Sequence, residues 1–115
     1  MDTRTKIITA QEAERLAANG AVTVSGYFDP LTLAHAERLQ SLKSPGAPLL
    51  VVISSPPDPI LPSLARAQLV AGLACVEYVT EAPVLFPTQA QLEKEDDARL
   101  EQLIQRVQAR QQAAG

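Results

Sequence analysis

Short apolar runs alternate with amphipathic segments along most of this chain. Residues 21–25, 49–53 and 76–79 have the pattern of short buried strands, and the second, Leu-Leu-Val-Val-Ile, is apolar throughout with no polar alternation. Runs of this kind are typical of strands that are covered on both faces of a parallel sheet. Helical patterns over 33–42 and 64–73 separate them. This order predicts an α/β domain in which right-handed crossovers place helices on both faces of the sheet.

Turn and cap residues set the expected boundaries of these elements. Thr9 has the spacing of a capping box and predicts a helix over 10–19, which Gly20 ends in a left-handed conformation. Ser63 is expected to cap the helix over 64–73. Residues 83–87 form a possible fourth strand, but a proline at each end limits it to an edge or an extended segment.

The residue composition of the chain changes at Thr88, and residues of high helix propensity dominate after it. An apolar stripe at helical spacing predicts one long helix, formed by Leu100, Leu103, Ile104 and Val107. Acidic residues begin this segment, and we interpret them as a solvated helix start rather than a magnesium site: Glu93, Glu95, Asp96 and Asp97. We therefore expect a single Rossmann-like three-layer domain over 1–115, divided into a lead-in helix (1–20), an α/β core (21–87) and a C-terminal helix (88–115).

Composition narrows the possible partners. The chain has 115 residues, is 46% hydrophobic and 20% charged, and carries a net charge of −3. An acidic domain argues against nucleic acid and against an anionic membrane surface as partners. No apolar run is long enough to span a membrane, and the N-terminus does not resemble a secretory signal. With Cys75 as its one cysteine the chain forms no internal disulfide, so a cytoplasmic location is expected.

The loop after the first strand carries the most informative residues. In such a sheet, ligands bind beyond the carboxyl ends of the strands. Gly26 permits close approach of a ligand to the backbone, and Asp29 with the following proline makes a turn. His35, the only histidine, falls in the first turn of the next helix, where free amides attract anions. Thr32 either donates a hydrogen bond to that anion or only caps the helix.

The segment Gly26–His35, which reads GYFDPLTLAH, resembles the signature of the cytidylyltransferase-like nucleotidyltransferases. The layout over roughly 6–80 is most similar to the adenylyltransferase domain of bifunctional heptose-phosphate enzymes, shortened on its C-terminal side. The resemblance implies transfer of a nucleotidyl group from ATP or CTP to a phosphorylated small molecule, with release of pyrophosphate. It also implies that Mg²⁺ accompanies the nucleotide, with no metal site on the protein itself.

The same resemblance assigns roles residue by residue. His35 and Thr32 would be the catalytic residues that bind the phosphates. Seven further positions would contact the nucleotide: Ser25, Gly26, Tyr27, Phe28, Asp29, Ala34 and Arg66. Fixed donors at such positions stabilise the charge that builds on phosphate oxygens in the transition state.

Three departures from the family pattern keep a second hypothesis open. Ala34 replaces a glycine, no Lys or Arg lies between Ser54 and Arg66, and the family's later Ser/Thr-rich motif has no counterpart after Thr80. The alternative is a catalytically inactive relative that serves as a nucleotide-binding or interaction module. The apolar stripe of the last helix covers the sheet in cis or pairs with a second copy, and we favour a homodimer.

Overall fold

The computed structural model describes residues 3–114, and the side chains of residues 4, 98–103 and 110–114 fall outside the described part. A short 3₁₀ helix over Thr3–Lys6 precedes the main elements. These are α1 (Ala10–Ala18), β1 (Val22–Gly26), α2 (Leu33–Leu42), β2 (Leu49–Ile53), α3 (Ser63–Ala71), β3 (Tyr78–Glu81), β4 (Ala90–Gln91) and α4 (Leu92–Ala114).

The four strands form one parallel sheet in the order β3-β2-β1-β4. This sheet, flanked by helices, confirms the predicted Rossmann-like α/β fold. The chain builds β1, β2 and β3 in one direction and then returns to the other side of β1 to form β4. The strand order therefore reverses between β1 and β4, and a crevice at the carboxyl ends of these strands is the usual ligand position in open α/β sheets.

The two faces of the sheet are buried against different helices. In β2, all five residues are buried. Leu49, Val51 and Ile53 pack with residues of α2 and α3, whereas Leu50 packs with Ala13 of α1 on the other face. A strand covered on both sides has no solvent-facing position, which explains the unbroken apolar run.

Two strand predictions were wrong in position. The third strand was expected at 76–79 and lies at Tyr78–Glu81, because Val76 still belongs to the turn after α3, where its N–H donates to the Leu73 carbonyl at 3.2 Å. The possible strand at 83–87 does not form. The fourth strand is Ala90–Gln91, on the opposite edge of the sheet.

The predicted starts of the last two helices also need correction. Pro62, not Ser63, is the N-cap of α3, and the Ser63 hydroxyl donates instead to Glu81 at the end of β3. The last helix begins at Leu92 rather than at 88, because the Gln89 N–H donates to the Thr23 carbonyl at 2.9 Å and draws the segment into the sheet. Pairing with β1 thus overrides the helical propensity of 88–91.

The apolar stripe of α4 is described only in part. Ile104 and Val107 are 47% and 46% exposed, while the side chains of Leu100 and Leu103 lie outside the described part. The homodimer therefore stays a prediction. Among the described residues, no helix has the length and apolar character needed to cross a membrane.

Position 26 needs glycine because the ring of Phe28 fills the space that a side chain would take, and not because of its backbone angles. A Cβ at this position would lie 2.6 Å from Cε2 of Phe28, whose side chain is fully buried. We expect Gly26→Ala to lower the free energy of unfolding by about 1–3 kcal/mol, because the ring must move within a packed core. Urea unfolding followed by circular dichroism measures this change.

Phe28→Leu provides the control for this prediction. If the clash with the ring is the cause, Gly26→Ala should cost at least about 1 kcal/mol less in the Phe28→Leu background than in the wild type. Strictly additive effects would contradict the explanation.

Candidate functional site

The predicted crossover turn positions Thr32 and His35 together at the start of α2. Thr32 is the N-cap, and its hydroxyl accepts a hydrogen bond from the His35 backbone N–H at 3.3 Å. In return the Thr32 backbone N–H donates to Nδ1 of His35 at 3.1 Å. This is a capping box in which histidine takes the place that glutamate usually holds. The capping role of Thr32 is therefore confirmed.

The capping box also determines where the imidazole carries its proton. A backbone N–H can only donate, so Nδ1 of the neutral ring is the acceptor and the ring proton lies on Nε2. Nε2 lies 2.7 Å from Oδ1 of Asp96 and donates to that carboxylate. His35 is 6% exposed and lines a cleft at this end of the molecule. The cleft lining thus contains one N–H donor in a fixed orientation, which Asp96 occupies in this structure.

Phe28 supports the imidazole from the protein interior. Its ring centroid lies 5.3 Å from that of His35, and the two planes meet at 72°, an edge-to-face arrangement. Phe28 has φ of +50°, a conformation that is strained for a bulky residue. The turn after β1 thereby drives a large ring inward beneath the histidine.

Two of the predicted nucleotide-binding residues join the loops after β1 and β2. The Asp29 carboxylate accepts hydrogen bonds from the backbone N–H groups of Ile60 and Leu61 at 2.7 and 2.8 Å. Arg66, which the resemblance assigned to nucleotide contact, is 1% exposed. Its guanidinium donates to the carbonyl oxygens of Tyr27, Ser54 and Leu61 and to the hydroxyl of Ser55.

The cleft beside these loops has a volume of about 370 Å³ and is acidic. It is lined by Tyr27, Asp29, Pro30, Thr32, His35, Pro56, Asp58, Ile60 and Asp96. Four of the predicted site residues meet there, namely Tyr27, Asp29, Thr32 and His35. Ser25, Gly26, Phe28, Ala34 and Arg66 are not among the lining residues, and Ala34 is exposed on α2. The described lining contains three aspartates and no Lys or Arg.

The acidic start of α4 was missed as part of the site. The expected solvated helix start is correct for the exposed Asp97 and wrong for Glu93, Glu95 and Asp96, which are half-buried. The Glu93 carboxylate accepts hydrogen bonds from the hydroxyls of Ser25 and Ser54, each at 2.8 Å. Glu95 pairs with Nε of Arg38 at 2.9 Å, and Asp96 accepts from His35.

The sequence held one signal of this arrangement. Glu93 and Asp96 are three residues apart and so share one face of a helix. Nothing in the sequence located that face, because the position of α4 depends on the pairing of Ala90–Gln91 with β1.

Comparison with known proteins is consistent with this geometry. No protein-family profile matches the chain. The chain is 29% identical, over 102 aligned residues, to the bifunctional protein HldE of Syntrophotalea carbinolica. The match covers 81% of this chain and 20% of that relative, so the chain spans about a fifth of the relative's length. The similarity supports a distant relationship to the cytidylyltransferase-like family.

Arg66 provides a test of the loop architecture around the cleft. Lysine cannot reproduce the planar fork that serves three carbonyl oxygens, so Arg66→Lys leaves buried acceptors without partners. We expect a loss of about 2–4 kcal/mol in the free energy of unfolding. Denaturant titration measures it.

The matched control is Arg38→Lys, on α2. Arg38 is 40% exposed and contacts the half-exposed Glu95, so its replacement should cost less than about 1 kcal/mol. Equal losses in the two variants would refute the structural role assigned to Arg66.

Proposed function

We propose that this chain is a nucleotidyltransferase-like domain that binds the phosphates of ATP or CTP at the start of α2. The observation that supports it is the Nε2–H of His35, oriented by the Thr32 capping box toward a cleft at the carboxyl end of β1. The N-terminus of α2 adds free backbone amides at the same place. The distant similarity to the bifunctional protein HldE agrees with the proposal.

The proposed reaction transfers a nucleotidyl group to a phosphorylated small molecule. A phosphate oxygen of the acceptor attacks the α-phosphorus of the nucleotide, the bond to the bridging oxygen breaks, and pyrophosphate leaves. The protein forms no covalent bond with the substrates in this reaction. Its contribution is to position the reacting groups and to stabilise negative charge on the phosphates. The His35 Nε2–H serves this purpose by donating to a phosphate oxygen. Thr32 acts as a positioning residue, since its contacts hold the imidazole.

Mg²⁺ would reach the cleft with the nucleotide. No group of three potential metal ligands forms a site among the described residues. Mg²⁺ commonly takes one or two carboxylates in addition to substrate phosphates. Asp58, an exposed carboxylate of the cleft lining, fits that role. When bound, the ion would neutralise negative charge on the phosphates. The described lining contains no Lys or Arg that could do so.

His35→Ala tests the proposed phosphate contact. We expect pyrophosphate release from ATP or CTP, measured with Mg²⁺ and a panel of sugar and alcohol phosphates, to fall by about 10²–10³. Circular dichroism establishes that the variant is folded. Unchanged release in a folded variant would refute the role of His35, and no release by the wild type with any acceptor would refute the transferase reaction.

Two equivalent helix caps allow the positioning role of Thr32 to be tested. Thr9 caps α1 as Thr32 caps α2, through the same contact to the backbone N–H three residues later. Each substitution by alanine should cost about 1 kcal/mol of stability. Only Thr32→Ala should also weaken nucleotide binding, measured by calorimetry, because the Thr32 hydroxyl also lies 3.0 Å from Nδ1 of His35 and helps to hold the imidazole. Equal binding by Thr32→Ala and Thr9→Ala would contradict the assignment.

A second function is favoured by one specific observation. The guanidinium of Arg66 donates to backbone carbonyl oxygens, and the described cleft lining contains no Arg and no Lys. The alternative is an inactive relative that serves as a nucleotide-binding or interaction module. Calorimetric binding of ATP or CTP without pyrophosphate release would identify it.

A further inference from the structure

We propose that the acidic first turn of α4 is an internal ligand, which occupies the phosphate site and must withdraw before a nucleotide binds. This inference rests on the proposed function, because it concerns the regulation of the same site. It follows from three observations. These are the donors that the carboxylates occupy, the position of both carboxylates on one face of α4, and the small number of buried apolar side chains among the described residues of that helix.

The first carboxylate occupies two hydroxyl donors at the carboxyl edge of the sheet. Ser25 lies near the end of β1 and is 7% exposed, and Ser54 directly follows β2. Their hydroxyls donate to the two different oxygens of Glu93, each at 2.8 Å. Two hydroxyls that converge on one carboxylate form a cradle for an anion. A phosphate group presents oxygens of the same kind to such donors.

The second carboxylate occupies the imidazole. Asp96 accepts from Nε2 of His35 at 2.7 Å, and that N–H is the donor on which the proposed phosphate contact depends. Glu93 and Asp96 lie one helical turn apart, so a single face of α4 presents both carboxylates. The helix thus presents one negative group to the two hydroxyls and a second to the imidazole.

Among the described side chains of α4, the contacts that hold its first turn are mainly these polar ones. Leu92 is buried at the start of the helix. Beyond Asp96, every described side chain of α4 is exposed, at 97 and 104–109. One oxygen of Glu95, Oε2, is buried without a hydrogen-bond partner, which disfavours the docked arrangement. Because Leu92 is the one buried apolar side chain among the described residues of α4, we expect the first turn to withdraw when a stronger anion competes for the same donors.

The carboxylates and a nucleotide exclude each other. Both would use the Nε2–H of His35, Glu93 holds the two hydroxyls that a second phosphate group would use, and the negative charges repel at close range. A nucleotide therefore binds only to the fraction of molecules in which α4 has withdrawn, and its apparent affinity is lowered by that fraction. Removing the charges of Glu93 and Asp96 should raise the fraction of molecules in which α4 has withdrawn, and so should lower the apparent Kd for the nucleotide.

The test compares two double variants of equal charge. Glu93→Gln with Asp96→Asn removes the two site charges while keeping side-chain shape. Glu37→Gln with Asp97→Asn removes two exposed carboxylates from α2 and α4. We expect calorimetry with Mg²⁺ and ATP or CTP to show binding at least about tenfold tighter in the first variant than in the wild type. The control variant should stay within about threefold of the wild type, the scale on which screened surface charges act.

A second measurement uses the unmodified chain and so does not depend on the folding of any variant. Amide hydrogen exchange in residues 92–97 should become faster when saturating Mg²⁺ and nucleotide are added, because the docked turn is displaced. Slower exchange there would overturn the inference, since α4 would then be part of the bound state.

The outcomes separate the two proposals. If wild type and the Glu93/Asp96 variant bind nucleotide equally, the internal-ligand inference fails and the proposed function stands. If neither the wild type nor the Glu93/Asp96 variant binds ATP or CTP, the proposed function fails, and the inference fails with it.

Discussion

Buried donors at the carboxyl edge of a parallel sheet need acceptors, and this requirement organises the functional end of the molecule. Ser25, Ser54 and His35 each direct a hydrogen-bond donor toward that edge. Leaving such groups unpaired away from water costs more than their hydrogen bonds contribute. In this chain, Glu93 and Asp96 supply the acceptors from a helix that follows directly on the last strand. The same donors are what a nucleotide phosphate would use, which connects the packing of α4 to the proposed function.

The loops around the cleft are held by charged groups that are hydrogen-bonded within the protein. Asp29 binds two backbone N–H groups of the loop before α3, and Arg66 binds three carbonyl oxygens across the two loops. Arg66 is buried and each of its three guanidinium nitrogens donates a hydrogen bond, so it acts as a rigid connector between the loops. This division leaves the imidazole as the cleft's one basic group among its described lining residues. Because the same lining holds three aspartates, a nucleotide in this cleft would need a metal ion or a partner to supply positive charge.

Sequence reasoning predicted the elements whose periodicity is strong and misplaced those that depend on pairing. The apolar run over 49–53 predicted β2 correctly, because burial on both faces leaves no other pattern. The Thr9 and Thr32 caps were also predictable, since a cap is a contact between residues close in sequence. The two-residue strand β4 was not, because its residues have no strand pattern and join the sheet only through β1.

The sequence by itself determined the alternation of strands and helices, the helix cap at Thr32 and the nearness of His35 to it, because each is encoded within a few residues. Only the tertiary structure decided what the histidine faces. Asp96 is distant in sequence, and its contact with His35 depends on the reversal of strand order that returns the chain to β1. Likewise, the burial of Arg66 depends on two loops meeting at one sheet edge, since no local pattern distinguishes it from a surface arginine. Long-range geometry therefore decided the electrostatic character of the cleft.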